Sequence, residues 1–212
     1  MKKVLNKNKL FYFIITVLLF ICFVIVGIKA YKEFWGNKEP ETTKPKELDS
    51  ISLYGYTLDE LDSSLYKEYF NELKSILNEE EVNFEDYAKS VVKLFVTDFY
   101  TLSTKITSSD IGGVEFIYPD FVDNFKMNAG DTIYNHVKNN AYGDRVQDLP
   151  TVKSVTIGNA IPITYTYAEE EYNAYRVDAT WDYEVDLGFE NSGEFYLIKH
   201  DSKLYIVEKT GE

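Results

Sequence analysis

Few side chains in this sequence could do chemistry, and their spacing narrows what that chemistry would be. His136 and His200 are the two histidines, and Cys22 is the single cysteine. A nucleophilic centre needs a Ser or Cys beside a general base that a third group orients. No nucleophile motif accompanies either histidine, and Cys22 lies inside an apolar run, so none of the three reads as catalytic. The second constellation is acidic. Asp178, Asp182, Glu184 and Asp186 alternate with Tyr175, Val177, Ala179, Trp181, Tyr183, Val185 and Leu187 along one segment. In a strand, successive side chains on one face stand roughly 7 Å apart. A hard cation needs about six to eight oxygens converging from a loop, which a straight ladder does not offer. The four carboxylates therefore read as a solvated face or as a docking strip for a basic partner. On the opposite face Tyr175, Trp181 and Tyr183 point inward, to pack a core or to line a cavity between a sheet and its helices. Isomerases of the ketosteroid type place an Asp base beside Tyr and Asp donors in such a cavity. Here Asp178, Asp182 and Glu184 have the wrong parity, so the inward face carries no acid and core packing is expected. Ile111-Gly112-Gly113 lacks the strand-before, helix-after setting of a phosphate loop, and Glu169-Glu170-Glu171 reads as a solvated loop. No cofactor and no metal are expected, and the chain reads as a protein without enzymatic activity.

Those faces need a sheet to carry them. Alternation of apolar and polar residues predicts strands at 152–167, 174–187, 194–200 and 203–208, the last two joined by a tight turn at Asp201-Ser202. Gly158 and Pro162 mark a bulge or an edge in the first. Upstream the period changes to three and four. Thr57-Leu-Asp-Glu60 has the form of a capping box and opens a predicted helix over 57–79. Asn83, with Glu85 and Asp86 behind it, opens a second over 84–104, whose stripe of Phe84, Tyr87, Val91, Phe95 and Phe99 is strongly aromatic. Pro119 opens a third helical segment over 119–139. Helices first and antiparallel strands afterwards predict an α+β fold, with helices packed on one face of a curved antiparallel sheet of about four strands.

The N-terminus predicts a membrane anchor. Residues 10–28 carry no charge, and as a helix rising about 1.5 Å per residue they span roughly 30 Å, the thickness of a bilayer's hydrocarbon core. Lys2, Lys3, Lys7 and Lys9 precede the run, and Lys29 and Lys32 give way to acidic residues after it. The positive-inside rule then puts the tail, residues 1–9, in the cytoplasm and the rest outside. A cleaved signal peptide would have a shorter apolar region ending at a small-x-small site, and Ile28-Lys29-Ala30 is a poor one. Residues 29–50, with Pro40 and Pro45, form a polar linker to an extracytoplasmic domain at 51–212. That part is acidic: residues 33–212 hold 16 basic and 35 acidic residues, a net of −19. So negative a domain repels nucleic acid. Lys outnumbers Arg 20 to 2, a usage associated with AT-rich bacterial genomes. With one cysteine no intramolecular disulfide forms, and the domain relies on its core.

The basic tail, single span and spacer, the aromatic helix 88–100 (AKSVVKLFVTDFY) and the sheet that ends the chain together resemble the nuclear-transport-factor-two-like (cystatin-like) fold. Its membrane-anchored form is the VirB-type bitopic component of type IV secretion and conjugation systems. The resemblance implies a cone-shaped domain acting as an assembly platform, with other envelope proteins and copies of itself as partners. Related folds hold small ligands in the cone, which makes an anchored ligand-binding module the alternative. The helix predicted over 57–79 departs from that family's pattern.

Overall fold

Alternation over the C-terminal third builds a four-stranded antiparallel sheet in the order β3-β4-β5-β6. Its strands are β3 (Val152–Tyr167), β4 (Glu170–Tyr183), β5 (Ser192–His200) and β6 (Lys203–Thr210). The computed structural model describes residues 45–211 and, singly, Val24. The apolar run at 10–28 and most of the 29–50 linker lie outside the described residues. Among the described residues no helix is long and apolar enough to cross a membrane.

Register explains the shape of the sheet. β3 and β4 pair from Val152↔Tyr183 to Tyr167↔Glu170, and the pairing shifts between Ile157 and Ala160, around Gly158-Asn159 where the sequence alternation breaks. Pro162 lies on β3, an edge strand, where a missing N–H is tolerated. Ala168 and Glu169 both take positive φ (52° and 66°) and close the hairpin in two residues. Val177, Ala179, Trp181, Phe195, Leu197, Leu204 and Ile206 are buried toward the helices.

Three helices, α1 (Ser64–Leu77), α2 (Phe84–Tyr100) and α3 (Val122–Asp131), pack with this sheet to give an α+β architecture. The Asn83 side chain accepts from Glu85 N at 3.0 Å and Asp86 N at 3.3 Å, fixing the start of α2. Helix α2 is the spine of the core: Tyr87, Val91, Leu94, Phe95 and Val96 are all buried.

Four predicted elements are corrected. The capping-box reading at Thr57 fails because Tyr56 and Leu58 alternate into the core as β2 (Tyr56–Asp59), paired with β1 (Glu47–Ile51) across a turn closed by Gly55 at φ 69°. The helix begins later, where Ser63 Oγ accepts from Tyr66 N at 3.1 Å. The end of the predicted 29–50 linker is consequently β1. The second helix stops at Tyr100 instead of 104: Leu102 N and Ser103 N donate to Pro150 O at 2.9 and 3.2 Å, which draws the chain out of the helix into a single 3-10 turn, Leu102–Thr104. The third segment begins as a 3-10 turn, Pro119–Phe121, and its α-helix ends at Asp131, because Tyr134 turns its ring into the core. Finally, β4 spans 170–183 and not 174–187. Its partner strand begins at Val152, Glu184 N donates to Thr151 O at 2.9 Å, and Pro150 then leads the partner chain away. Val185 and Leu187 are left exposed.

Candidate functional site

Two concavities flank α2. The first, of about 340 Å³, is polar and lies among the β1–β2 hairpin, the start of α1, the end of α2 and the segment 104–115. Its walls carry Asp59, Asp62, Asp98, Lys105, Asp110 and Glu115. Asp98 projects from the last turns of α2. One of its carboxylate oxygens pairs with Lys105 Nζ, and the other accepts from Gly113 N at 2.6 Å. Gly113 has φ 75°, and a Cβ there would stand 2.7 Å from the Phe95 ring, so this tight turn requires glycine. The Lys105 side chain is only 9% exposed. Burial pulls its ammonium down, but the neighbouring carboxylates of Asp98, Asp110 and Asp62 outweigh that and hold it charged, above its ordinary value.

Glu115 sits in the 3-10 turn Val114–Phe116 and is the most enmeshed acid of the cleft. Its Oε2 accepts from Thr57 N and Thr57 Oγ1, each at 3.1 Å, while Oε1 accepts from Tyr66 Oη at 2.9 Å. Burial pushes its carboxyl up to about 7, against the lowering effect of the Tyr66 and Thr57 hydrogen bonds. Asp62 is likewise pushed up by burial, to about 6, although Asp59 N donates to its Oδ2 at 2.6 Å. The cleft thus holds two carboxyls that titrate near neutrality beside a fixed ion pair.

The second concavity, of about 310 Å³, is apolar and opens between α2, α3 and β6. Phe95, Phe99, Ile117, Phe121, Phe125 and Ile206 line it, and Asn124, Asn128, Glu208 and Lys209 stand around them. The aromatic wall is preformed: the Phe95 and Phe99 rings stack at 5.3 Å, and Phe125 lies 5.2 Å from Phe99 and 5.9 Å from Phe95. Lys209 is held by an ion pair with Glu190.

The residues singled out in the sequence lie elsewhere. Trp181 is buried with its ring 4.5 Å from Tyr100; its Nε1–H donates to Tyr183 Oη at 2.9 Å, and that hydroxyl donates to Glu190 O at 2.6 Å. Tyr175 is half-buried against the same core. None of these three lines either concavity, because α2 lies across this part of the sheet and fills the space. Asp178 and Asp182 are exposed on β4, and Ser154 Oγ donates to Asp182 at 3.1 Å. Glu184 and Asp186 fall past the strand end, where Asp186 accepts from Gly188 N at 2.9 Å, so the four acids do not share one face. His136 and His200 are exposed. Among the described residues no group of three His, Cys, Asp or Glu is arranged to hold a metal ion.

Parity along β4 placed no acid inside, yet buried carboxyls arrive from outside the sheet. Glu115 stands in an irregular segment between Val114 and Phe116, where no period points its side chain anywhere. Asp98 and Lys105 are two helical turns apart in spacing, a signal that the end of α2 at Tyr100 obscures. The apolar pocket was half legible in the aromatic stripe of α2, but its other walls come from 117–125 and from β6.

No family model, no curated protein and no solved structure matches this chain.

Proposed function

We propose that the chain is a membrane-anchored extracytoplasmic binding protein whose domain receives a small apolar ligand in the aromatic pocket between α2, α3 and β6. The observation that carries this reading is the pocket itself: four phenylalanines and two isoleucines around about 310 Å³, ringed by a few polar groups. Small-molecule sites have that size and that composition. The net charge of −19 over residues 33–212 disfavours anionic ligands, which leaves neutral or cationic molecules with an aromatic or aliphatic body. The uncharged run at 10–28, with lysines concentrated before it, supports the anchor and its orientation. The sheet with helices on one face is the arrangement in which nuclear-transport-factor-two-like domains form a cone, and supports that resemblance. The test is thermal unfolding of residues 45–211 against a panel of neutral aromatic and aliphatic compounds. A ligand at a hundred times its Kd adds about 2.7 kcal/mol and raises the midpoint by several degrees. A panel in which no compound moves the midpoint contradicts the reading.

The outer face of the sheet favours a second reading, an assembly component of a secretion or conjugation machine. Exposed Asp178 lies opposite Glu194 of β5, which also pairs with Arg176, while Glu208 of β6 lies opposite Tyr196 and exposed Asp182 stands further along β4. Tyr196 Oη donates to Glu194, and Tyr165 Oη donates to Glu208 at 3.1 Å. Tyrosine rings between carboxylates are suited to a lysine- or arginine-rich partner surface. Crosslinking the full-length chain in its native membrane tests this. Recovery of envelope subunits that is lost with Asp178→Asn and Asp182→Asn supports it, and recovery of the chain alone contradicts it.

A further inference from the structure

The β1–β2 hairpin is the first element of the described domain. Tyr56 and Leu58 reach the core from β2. Lys74 of α1 pairs with Asp49 of β1 at 2.5 Å in an exposed setting, where an ion pair contributes little. The Tyr56 hydroxyl also bonds Tyr87 and Leu204 O in the core, Asp59 N donates to Asp62 at 2.6 Å, and Glu115 makes the most branched of these polar fastenings. Its two oxygens take three hydrogen bonds from two other elements: Thr57 N and Oγ1 of the hairpin on one oxygen, Tyr66 Oη of α1 on the other. One carboxyl therefore ties hairpin, first helix and the 114–116 turn together at the wall of the polar cleft.

We propose that Glu115 is a proton-operated latch: its protonated form holds the β1–β2 hairpin against α1 and the 114–116 turn, and its ionised form loosens that hold.

The hydrogen bonds permit both states. When Glu115 is ionised, Tyr66 Oη donates to it. When Glu115 carries a proton on Oε1, that proton is donated to Tyr66 Oη, and the tyrosine proton turns to Thr57 O, which lies 3.3 Å away. Oε2 remains an acceptor for Thr57 N and Oγ1. Protonation thus reverses one donor and keeps every bond, with the added contact again landing on the hairpin residue Thr57.

The charges facing the latch make ionisation unfavourable when the cleft is closed. Asp98 of α2 faces it from one side, with Asp62 ahead of α1, Asp59 of β2 and Asp110 of the following segment around the same cleft. Tyr56 and Tyr66 are the phenols of the hairpin and α1 nearest it, and its charge pushes both further up, after burial. Two cations are near. Lys105 is committed to Asp98. Lys203 of β6 lies over the Tyr56 ring at 4.3 Å; burial pulls it down and the Glu115 charge only partly restores it. An ionised Glu115 therefore has three hydrogen bonds but no ion pair of its own, in a cleft mostly of its own sign. Lifting the hairpin admits water and relieves it. The value of about 7 places the transition at the pH of an extracytoplasmic environment that acidifies or alkalinises modestly.

The test is amide hydrogen exchange of the full-length chain from pH 5.5 to 8.5, with rates corrected for intrinsic exchange. Protection of Glu47–Ile51 and Tyr56–Asp59 is read relative to β5, so that loss of global stability cancels. The expected result is a fall in relative hairpin protection of about tenfold across this range in the wild type, and a flat profile in Glu115→Gln. Asp62→Asn, which leaves the Thr57 and Tyr66 bonds intact, should keep the slope. A flat wild-type profile overturns the proposal, as does a slope that survives Glu115→Gln. Should that variant fold poorly, carbon-13 titration of the Glu115 carboxyl in the wild type decides instead. Coincidence of its midpoint with that of the hairpin amides supports the latch, and separate midpoints overturn it.

Discussion

The hydroxyls of Tyr56 and Tyr87 meet 2.7 Å apart in the core and join the N-terminal hairpin to α2. Both also reach Leu204 of β6: Tyr56 Oη donates to Leu204 O at 3.2 Å, and Leu204 N donates to Tyr87 Oη at 3.3 Å. With the Tyr56 proton spent on the carbonyl, Tyr87 must donate to Tyr56. The three residues then form a closed circuit, from Leu204 N through both phenols back to Leu204 O. Each group is satisfied once, as buried polar groups require.

Tyr87→Phe breaks this circuit at its centre, leaving the Leu204 N–H without an acceptor and Tyr56 without a donor. We expect a loss of about 1–3 kcal/mol in urea unfolding. Tyr56→Phe also breaks two bonds, leaving the Leu204 carbonyl without this donor and the Tyr87 proton without an acceptor, and should cost a similar amount. A negligible loss in either variant would contradict the circuit.

The buried pair of Asp98 and Lys105 gives a second prediction. Lys105→Met strands a carboxylate in a cleft already acidic, and should cost about 3 kcal/mol. Asp98→Asn with Lys105→Met removes both charges while leaving an amide oxygen for Gly113 N, so the pair should lose less than the two single variants together. A double-mutant cycle with a coupling below about 0.5 kcal/mol would show the pair contributes nothing.

Stability should fall as pH rises. Glu115 and Asp62 titrate in the fold at about 7 and about 6, above ordinary values of 4.5 and 3.8. Between those limits the folded state binds more protons than the unfolded chain. Their contribution is therefore full below about pH 4 and is lost as pH passes through 6 to 7. Glu115 alone accounts for about 3 kcal/mol of this. The unfolding midpoint should drop by several degrees from pH 5 to pH 8, and Glu115→Gln should flatten most of that drop. A midpoint that rises over the same range contradicts the burial assigned to both carboxyls.

The sheet was legible because its rule is local. Two-residue alternation at Tyr175–Tyr183 and the Asp201-Ser202 turn depend on neighbours in sequence, and burial follows the expected parity at Val177, Ala179 and Trp181. The Asn83 cap and the stripe of α2 were legible for the same reason. What failed depended on distant partners. Thr57 to Glu60 satisfies the letter of a capping box, yet Tyr56 is drawn into a strand by Tyr87 and Leu204, over a hundred residues of chain away in the second case. β4 ends where Pro150 leaves its partner strand, which no residue of β4 announces. The polar cleft needs Asp62, Asp98, Lys105 and Glu115 to converge from four separate segments, and no spacing encodes that. Tyr175, Trp181 and Tyr183 were correctly turned inward, but the cavity lies where α3 and the 117–121 segment leave a gap, not where β4 carries its largest rings.

A fluorescence titration of residues 45–211 with the neutral probe N-phenyl-1-naphthylamine tests whether the aromatic pocket is a binding site. Asn128 is exposed on α3 at the pocket, so Asn128→Trp should cover the opening without disturbing the core. We predict saturable binding of the probe by the wild type, and affinity at least about tenfold weaker in Asn128→Trp with an unchanged unfolding midpoint. Absence of saturable binding, or equal affinity in the two proteins, would show that the pocket does not receive the ligand.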